Sequence, residues 1–305
     1  MSLVSMGELF QSARRDRYAL GYFEAWDTYS LEAALEAAEA EASPVILGLG
    51  CMMADRGWLD QGGVETLGAI GRVVAQRARA PVALLLNEAQ TLQQALRGIE
   101  SGFNAVMLDT SAWTWDDAVA QVGELARVAH ARGVVVEGEL GRLPDATASG
   151  IDDSQASLTD PEQAAAFVAQ TGVDCLAASI GNVHLLNTQY APIDLDHLEA
   201  ISRRVATPLV LHGGTSFPPD AVPRAIAAGV VKFNVGTVLK RAFFEGMRWS
   251  VQAQPEPPDV HMILGSHKSA DVMNAGKARM REKIQELMRV YGSSGRAPIA
   301  ERERR

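Results

Sequence analysis

The chain has 305 residues, with 28 lysines and arginines against 37 aspartates and glutamates and a formal net charge of -9. That balance gives no basic footprint for nucleic acid, and no apolar run reaches the ~18 residues of a membrane span, so the expectation is a cytoplasmic protein with neither partner. At this length a single α/β domain can bury a sizeable core, and Cys51 and Cys175, both at or in expected buried strands, read as reduced thiols.

Residues 1–17 read as a leader and a short helix, with apolar positions in Met6-Gly7-Glu8-Leu9-Phe10. An alternation then begins. Strands are predicted at 18–23, 44–50, 81–87, 105–110, 134–140, 175–180, 209–211 and 231–235. Helices are predicted between them at 31–41, 63–79, 91–101, 116–132, 161–170, 195–204 and 220–228. Asp116 and Asp117 open the fourth of these helices while His130 and Arg132 close it, which suits the helix dipole. Residues 141–159 form a long polar loop, expected to act as a lid, and further helices follow Gly265.

Eight apolar strands alternating with helices predict a parallel sheet closed into a (β/α)8 TIM barrel, a single domain with extra C-terminal helices. The barrel with its helical extension is expected over 1–291 and a polar tail over 292–305. No GxGxxG follows the first strand, which disfavours a dinucleotide fold. In such a barrel the site lies at the C-terminal strand ends. Those ends carry Glu24, Asn87, Glu88, Asp109, Glu137, Glu139, Asn182, His184, His212 and Asn234.

The run Leu209-Val210-Leu211-His212-Gly213-Gly214-Thr215 is the pivot, because a strand ends there in a metal-binding side chain and two glycines. Gly213 and Gly214 lack Cβ atoms and can turn their N–H groups toward an anion. His184, His212 and Glu88 are the predicted metal ligands, since two imidazoles and a carboxylate on rigid strand ends leave positions open for substrate. The plainer alternative is hydrogen-bonded pocket histidines. Glu137 and Glu139 share a strand face and suit a second metal site or, preferably, structural acceptor roles. Asp109 reads as a brace between strand ends. Lys232 shares a face with Asn234, and its role stays open.

Several segments resemble the class II, metal-dependent ketose-bisphosphate aldolases. They include 18–23, Gly102-Phe103-Asn104-Ala105-Val106-Met107-Leu108-Asp109, Val136-Glu137-Gly138-Glu139-Leu140-Gly141, Leu211-His212-Gly213-Gly214, Lys232-Phe233-Asn234-Val235-Gly236-Thr237 and Tyr291-Gly292-Ser293-Ser294-Gly295. The resemblance implies zinc at His184 and His212, and a phosphate and ketose pocket from Gly213, Gly214, Thr215, Asn234 and Thr237. It also implies a small phosphorylated sugar as substrate and a homodimer or homotetramer.

The departures are specific. Where the family has Asp-His, this chain has Asn87-Glu88; an amide exchanges no proton near neutral pH, so Asn87 orients a hydroxyl rather than acting as acid or base. Glu88 brings a harder oxygen ligand and opens the site to Mn²⁺, Mg²⁺ or Fe²⁺ beside Zn²⁺. Glu24 stands where the family has asparagine, and Leu185 where it has glycine. The lid glutamate has no clear counterpart; Asp145, Asp152 and Asp153 are the candidate substitutes, each read more simply as a solvated loop acid. The expected function is a divergent carbon–carbon lyase acting on a phosphorylated ketose or related sugar acid. The alternatives are a non-catalytic sugar-phosphate or metal-binding barrel and an isomerase or epimerase using the same enediolate chemistry.

Overall fold

A computed structural model describes residues 2–147, 150–152, 154, 156–183 and 190–298. Among the described residues ten strands are formed: β1 Leu20–Ala25, β2 Val45–Gly50, β3 Val82–Ala89, β4 Ala105–Leu108, β5 Val135–Leu140, β6 Asp145–Thr147, β7 Gly150–Asp152, β8 Cys175–Ala178, β9 Leu209–Leu211 and β10 Val230–Val235. All except β6 and β7 close into one parallel barrel in the order β1-β10-β9-β8-β5-β4-β3-β2. This is the (β/α)8 architecture expected from the alternation. The helices are α1 Met6–Asp16, α2 Thr28–Ala40, α3 Arg56–Trp58, α4 Val64–Gln76, α5 Leu92–Glu100, α6 Trp115–His130, α7 Pro161–Thr171, α8 Leu195–Ser202, α9 Val222–Ala227, α10 Thr237–Gln252, α11 Val260–Ile263 and α12 Val272–Val290. No helix among the described residues is long and apolar enough to cross a membrane.

Side chains alternate across each strand, so the barrel has two cores. Leu47, Leu84, Leu86, Val106, Val136, Leu176, Leu211 and Phe233 face outward and pack beneath the helices. Leu20, Tyr22, Ile46, Ala83, Leu85, Met107, Val135, Cys175, Ala177 and Val210 fill the lumen. Its lower end is plugged by Met6, Leu9, Phe10 and Ala13 of α1, the short helix expected near the N-terminus. Filling the bottom with hydrocarbon leaves the polar inward positions stacked at the C-terminal mouth. Both cysteines are free and buried.

The lid region contains the antiparallel pair β6–β7 rather than an unbroken loop, and a bridge between Arg142 and Ser157 pins its base. Asp153 lies outside the described residues. At the other end of the chain, α12 packs on α10 and α2. Gly246 and Gly276 permit the close approach to α10, because a Cβ at Gly246 would lie 2.4 Å from the Ala275 carbonyl oxygen. Lys277 pairs with Glu32 and Glu36 of α2 at 3.1 and 2.9 Å. Part of the stretch read as a polar tail is fastened too, with Ser293 buried and the Gly295 and Ala297 N–H groups donating to the Glu41 and Ala42 carbonyls.

Tyr291 anchors this closure by stacking on Phe233, with ring centroids 4.7 Å apart. Its hydroxyl is buried without a hydrogen-bond partner among the described residues, and burial pushes its pKa up. A buried unsatisfied hydroxyl costs about 1–3 kcal/mol. Tyr291→Phe is therefore expected to raise the urea midpoint slightly, by up to about 1 kcal/mol in stability, while Tyr291→Ala loses about 3–5 kcal/mol by opening a cavity. A clear loss on Tyr291→Phe would show that the hydroxyl is satisfied.

Candidate active site

Inward alternation delivers Asn87 from β3 and Glu137 and Glu139 from β5, continuing the rows that fill the lumen below, while on β10 a register shift between Val230 and Lys232, just past the lumen-facing Val231, brings in Lys232 and Asn234. Glu88 breaks that rule. As the neighbour of Asn87 it would face the helices, but its φ of 55° is left-handed and the β3–β4 register shifts between Leu86 and Ala89. That turn brings its side chain into the mouth beside Asn87. A non-glycine residue held there costs about 1–3 kcal/mol, a strain concentrated at functional positions.

Glu88, Glu139 and His212 converge, with one ligand-type atom from each lying within 4.8 Å of the others. His212 Nδ1 is 3.4 Å from Glu88 Oε1 and 3.3 Å from Glu139 Oε1. Those separations exceed an ordinary N–H···O bond. Glu139 Oε1 is buried without a hydrogen-bond partner among the described residues. Two carboxylate oxygens and one imidazole nitrogen, poised but not closed onto one another, fit a divalent cation of the Zn²⁺, Mn²⁺ or Fe²⁺ kind.

Behind this cluster the imidazole is fixed by a second row. His212 Nε2 lies 2.9 Å from Glu137 Oε1, and Lys232 Nζ donates to Glu137 Oε2 at 2.7 Å and to Asn234 Oδ1 at 2.6 Å. A carboxylate on the far ring nitrogen sets the tautomer and orientation of a metal-ligating histidine. Burial alone would raise the Glu137 pKa, but Lys232 and His212 pull it down to about 2. Burial opposes charging of His212, yet Glu139, Glu137 and Glu88 hold its pKa well above the ordinary imidazole range.

The β9 strand end is locked from the side. Asn182 Nδ2 donates to the His212 carbonyl at 2.9 Å and its Oδ1 accepts from the Ile180 N–H. Gly213 then turns at φ 66°, where a Cβ would lie 2.5 Å from the Val183 carbonyl oxygen, so both backbone sign and space require glycine. Thr215 Oγ1 accepts from the Val238 N–H at the start of α10.

One cleft at the mouth is lined by the predicted residues Asn87, Glu88, His212, Gly213, Thr215, Asn234 and Thr237. Gly214 sits behind it, packed so that a Cβ would meet the Asn234 carbonyl oxygen at 2.8 Å. His184 lies outside the described residues, as does Leu185. Glu137 and Glu139, weighed together in the sequence, take different roles: Glu137 is the structural acceptor and Glu139 joins the ligand cluster. Strand parity alone could not separate them, since the two differ in depth rather than in face. Tyr22, Met52 and Gly236 also line the cleft without having been singled out.

Other candidates do not enter the cluster. Asp109 accepts from the Ser111 N–H and so caps its own loop. His130 meets Asp174 at 3.0 Å and His197 meets the Thr159 carbonyl at 2.8 Å. Trp113 and Trp115 line a separate hollow beside β5, where Trp115 packs edge-on against Phe167.

A closed parallel barrel with a ligand-type cluster at its C-terminal mouth defines the class of protein. The family model described as fructose-bisphosphate aldolase class-II matches residues 4–296, and the chain belongs to that family. It is 33% identical to the sulfofructosephosphate aldolase of Alkalicoccus urumqiensis, covering 97% of this chain and 99% of that protein. It is likewise 33% identical to the fructose-bisphosphate aldolase of Geobacillus stearothermophilus, at the same coverage of both chains. Among solved structures, the YdjI aldolase of Escherichia coli K12 matches with a TM-score of 0.78 and 26% identity, over 97% of this chain and 100% of that one.

Proposed function

We propose that the protein is a metal-dependent carbon–carbon lyase that cleaves a phosphorylated ketose or related sugar acid by a retro-aldol reaction. The observation that carries this reading is the convergence of Glu88, Glu139 and His212 beside a cleft of neutral polar groups, in a chain of the class II aldolase family. Glu88, Glu139 and His212 would hold the ion, with His184 as the further ligand expected from the sequence. When bound, a divalent ion there supplies Lewis acidity toward a substrate carbonyl oxygen. Zinc follows from the family, while the carboxylate-rich donor set admits Mn²⁺, Mg²⁺ or Fe²⁺.

The chain's own residues do the positioning. Glu137 keeps the His212 ring oriented, and Lys232 balances the charge that Glu137 carries in the barrel interior. Asn87 Oδ1 is buried, has no hydrogen-bond partner among the described residues and accepts from a substrate hydroxyl, fixing its direction. Thr215 and Thr237, with the Gly213 backbone, line the opposite wall.

Turnover of a panel of phosphorylated ketoses with Zn²⁺, Mn²⁺, Mg²⁺ and Fe²⁺ tests this reading. Cleavage is expected with at least one metal and is expected to vanish in His212→Ala. Inactivity on the whole panel would favour the non-catalytic binding barrel, the reading that the amide of Asn87 supports. Conversion without cleavage, seen by NMR of the products, would favour an isomerase or epimerase. We further propose a cytoplasmic homodimer or homotetramer, in which the exposed Phe244 and Trp249 of α10 supply apolar contact surface.

A further inference from the structure

We infer that Glu24 is a specificity-determining residue, and that the substrate half lying against β1 and the start of α10 ends in a hydroxyl rather than a phosphate monoester. The inference rests on the lyase reading, narrows its substrate, and departs from the phosphate pocket that the family resemblance implies around Asn234 and Thr237. Glu24 lines the same cleft as Asn87, Glu88 and His212. Its carboxylate is wedged between two glycines: a Cβ on Gly236 would lie 2.0 Å from Glu24 Oε2, and one on Gly50 would lie 3.1 Å from Oε1. Gly236 is the N-cap of the sixteen-residue α10 and supplies no side-chain cap. A helix N-terminus reached through glycine is a place for an anion. Here the chain places its own carboxylate against it.

The surrounding charges favour the same assignment. Lys240 Nζ donates to Glu24 Oε1 at 2.7 Å, so the lysine at this edge is matched by a carboxylate. Lys232 is fully buried and committed to Glu137 and Asn234. No lysine or arginine lines the cleft among the described residues, and residues 184–189 contain neither.

What the cleft does offer is neutral hydrogen bonding. Tyr22 Oη and Asn234 Nδ2 line it, are more than nine-tenths buried and lack hydrogen-bond partners among the described residues. Because Lys232 occupies Asn234 Oδ1, the remaining amide N–H groups of Asn234 point to a ligand acceptor. A terminal hydroxyl can donate to Glu24 while accepting from Tyr22 or Asn234. A phosphate monoester, largely dianionic at neutral pH, has no proton to give that carboxylate, and the cation that could balance it, Lys240, is already paired with Glu24.

Dihydroxyacetone and dihydroxyacetone phosphate form a matched pair that differs only in the phosphate. Their dissociation constants are measured by ligand-observed NMR or calorimetry on the full chain with saturating Zn²⁺, and again with Mn²⁺, for wild type and Glu24→Gln. Wild type is expected to bind the phosphate ester no more tightly than the free triose. Glu24→Gln is expected to tighten the ester at least tenfold and to weaken the free triose at least threefold. A wild-type preference for the ester of tenfold or more overturns the inference, as does an unchanged ratio in Glu24→Gln or the failure of either triose to bind. If the variant does not fold, the wild-type ratio decides alone. Because the readout is binding, inactivity on every ketose with this ratio intact would count against the lyase reading and not against the role of Glu24.

Discussion

Replacing Lys232 by methionine is expected to destabilise the protein by about 3–5 kcal/mol at neutral pH, the cost of leaving a buried carboxylate without its cation. Lys232 and Glu137 are both fully inaccessible in their side chains, at 2.7 Å separation. Glu137 has few alternatives in the lumen: the His212 ring and the thiol of Cys175, whose sulfur lies 3.7 Å away. The pH dependence should reverse as well. In the wild type the Glu137 pKa is depressed to about 2, so its contribution is fully present above the unfolded carboxylate value of about 4.3 and is lost as pH falls toward 2. Without Lys232, burial dominates and raises the Glu137 pKa, so the penalty grows as pH rises above about 4.3 and shrinks on acidification. Urea melts at pH 4.5 and 7.5 measure this directly. Adding Glu137→Gln should recover more than half of the loss, because it removes the stranded charge. A Lys232→Met deficit below about 1 kcal/mol would mean that the pair does not carry the charge balance assigned to it.

Loss of the imidazole should be as severe for the cation as loss of the lysine is for the fold. His212→Ala is expected to weaken Zn²⁺ or Mn²⁺ binding by more than about 100-fold, beyond the 10- to 100-fold typical of changes behind the ligands. Glu137→Gln, which only releases the ring, should fall within that lower range. Binding should also be proton-linked. The three carboxylates around His212 favour its charged form in the metal-free protein, and a ligating imidazole must give up that proton. Apparent affinity is therefore expected to rise with pH up to the His212 pKa and then level off. Competition against a chromophoric chelator at several pH values checks this, and a flat profile would remove His212 Nδ1 from the ligand set.

The barrel was legible because it depends on one-dimensional patterns. Eight mostly apolar runs alternating with helical segments admit few topologies. The strand starting near Tyr18 began two residues late, at Leu20, because the chain spends Tyr18 sealing the lumen beside α1. The lid pair β6–β7 went unread, since three-residue strands in a polar loop leave no periodic signal. Strand-end positions likewise gave most of the cleft, Asn87, His212 and Asn234 among them.

The linear order of residues determined which side chains reach the mouth of the barrel, because alternation along a strand is fixed by the covalent backbone. It also determined that an amide and a carboxylate stand where the family carries an acid and a histidine. What the folded chain decided was pairing across strands. The left-handed turn at Glu88 brings in a residue that alternation would have sent outward. Lys232 on β10 claims Glu137 on β5 and so leaves Glu139, one step nearer solvent, to join Glu88 and His212 in the ligand-type cluster. The Glu24 carboxylate settles against the glycine that opens α10. Each of these depends on distances between residues tens or hundreds of positions apart, and only barrel closure sets those distances.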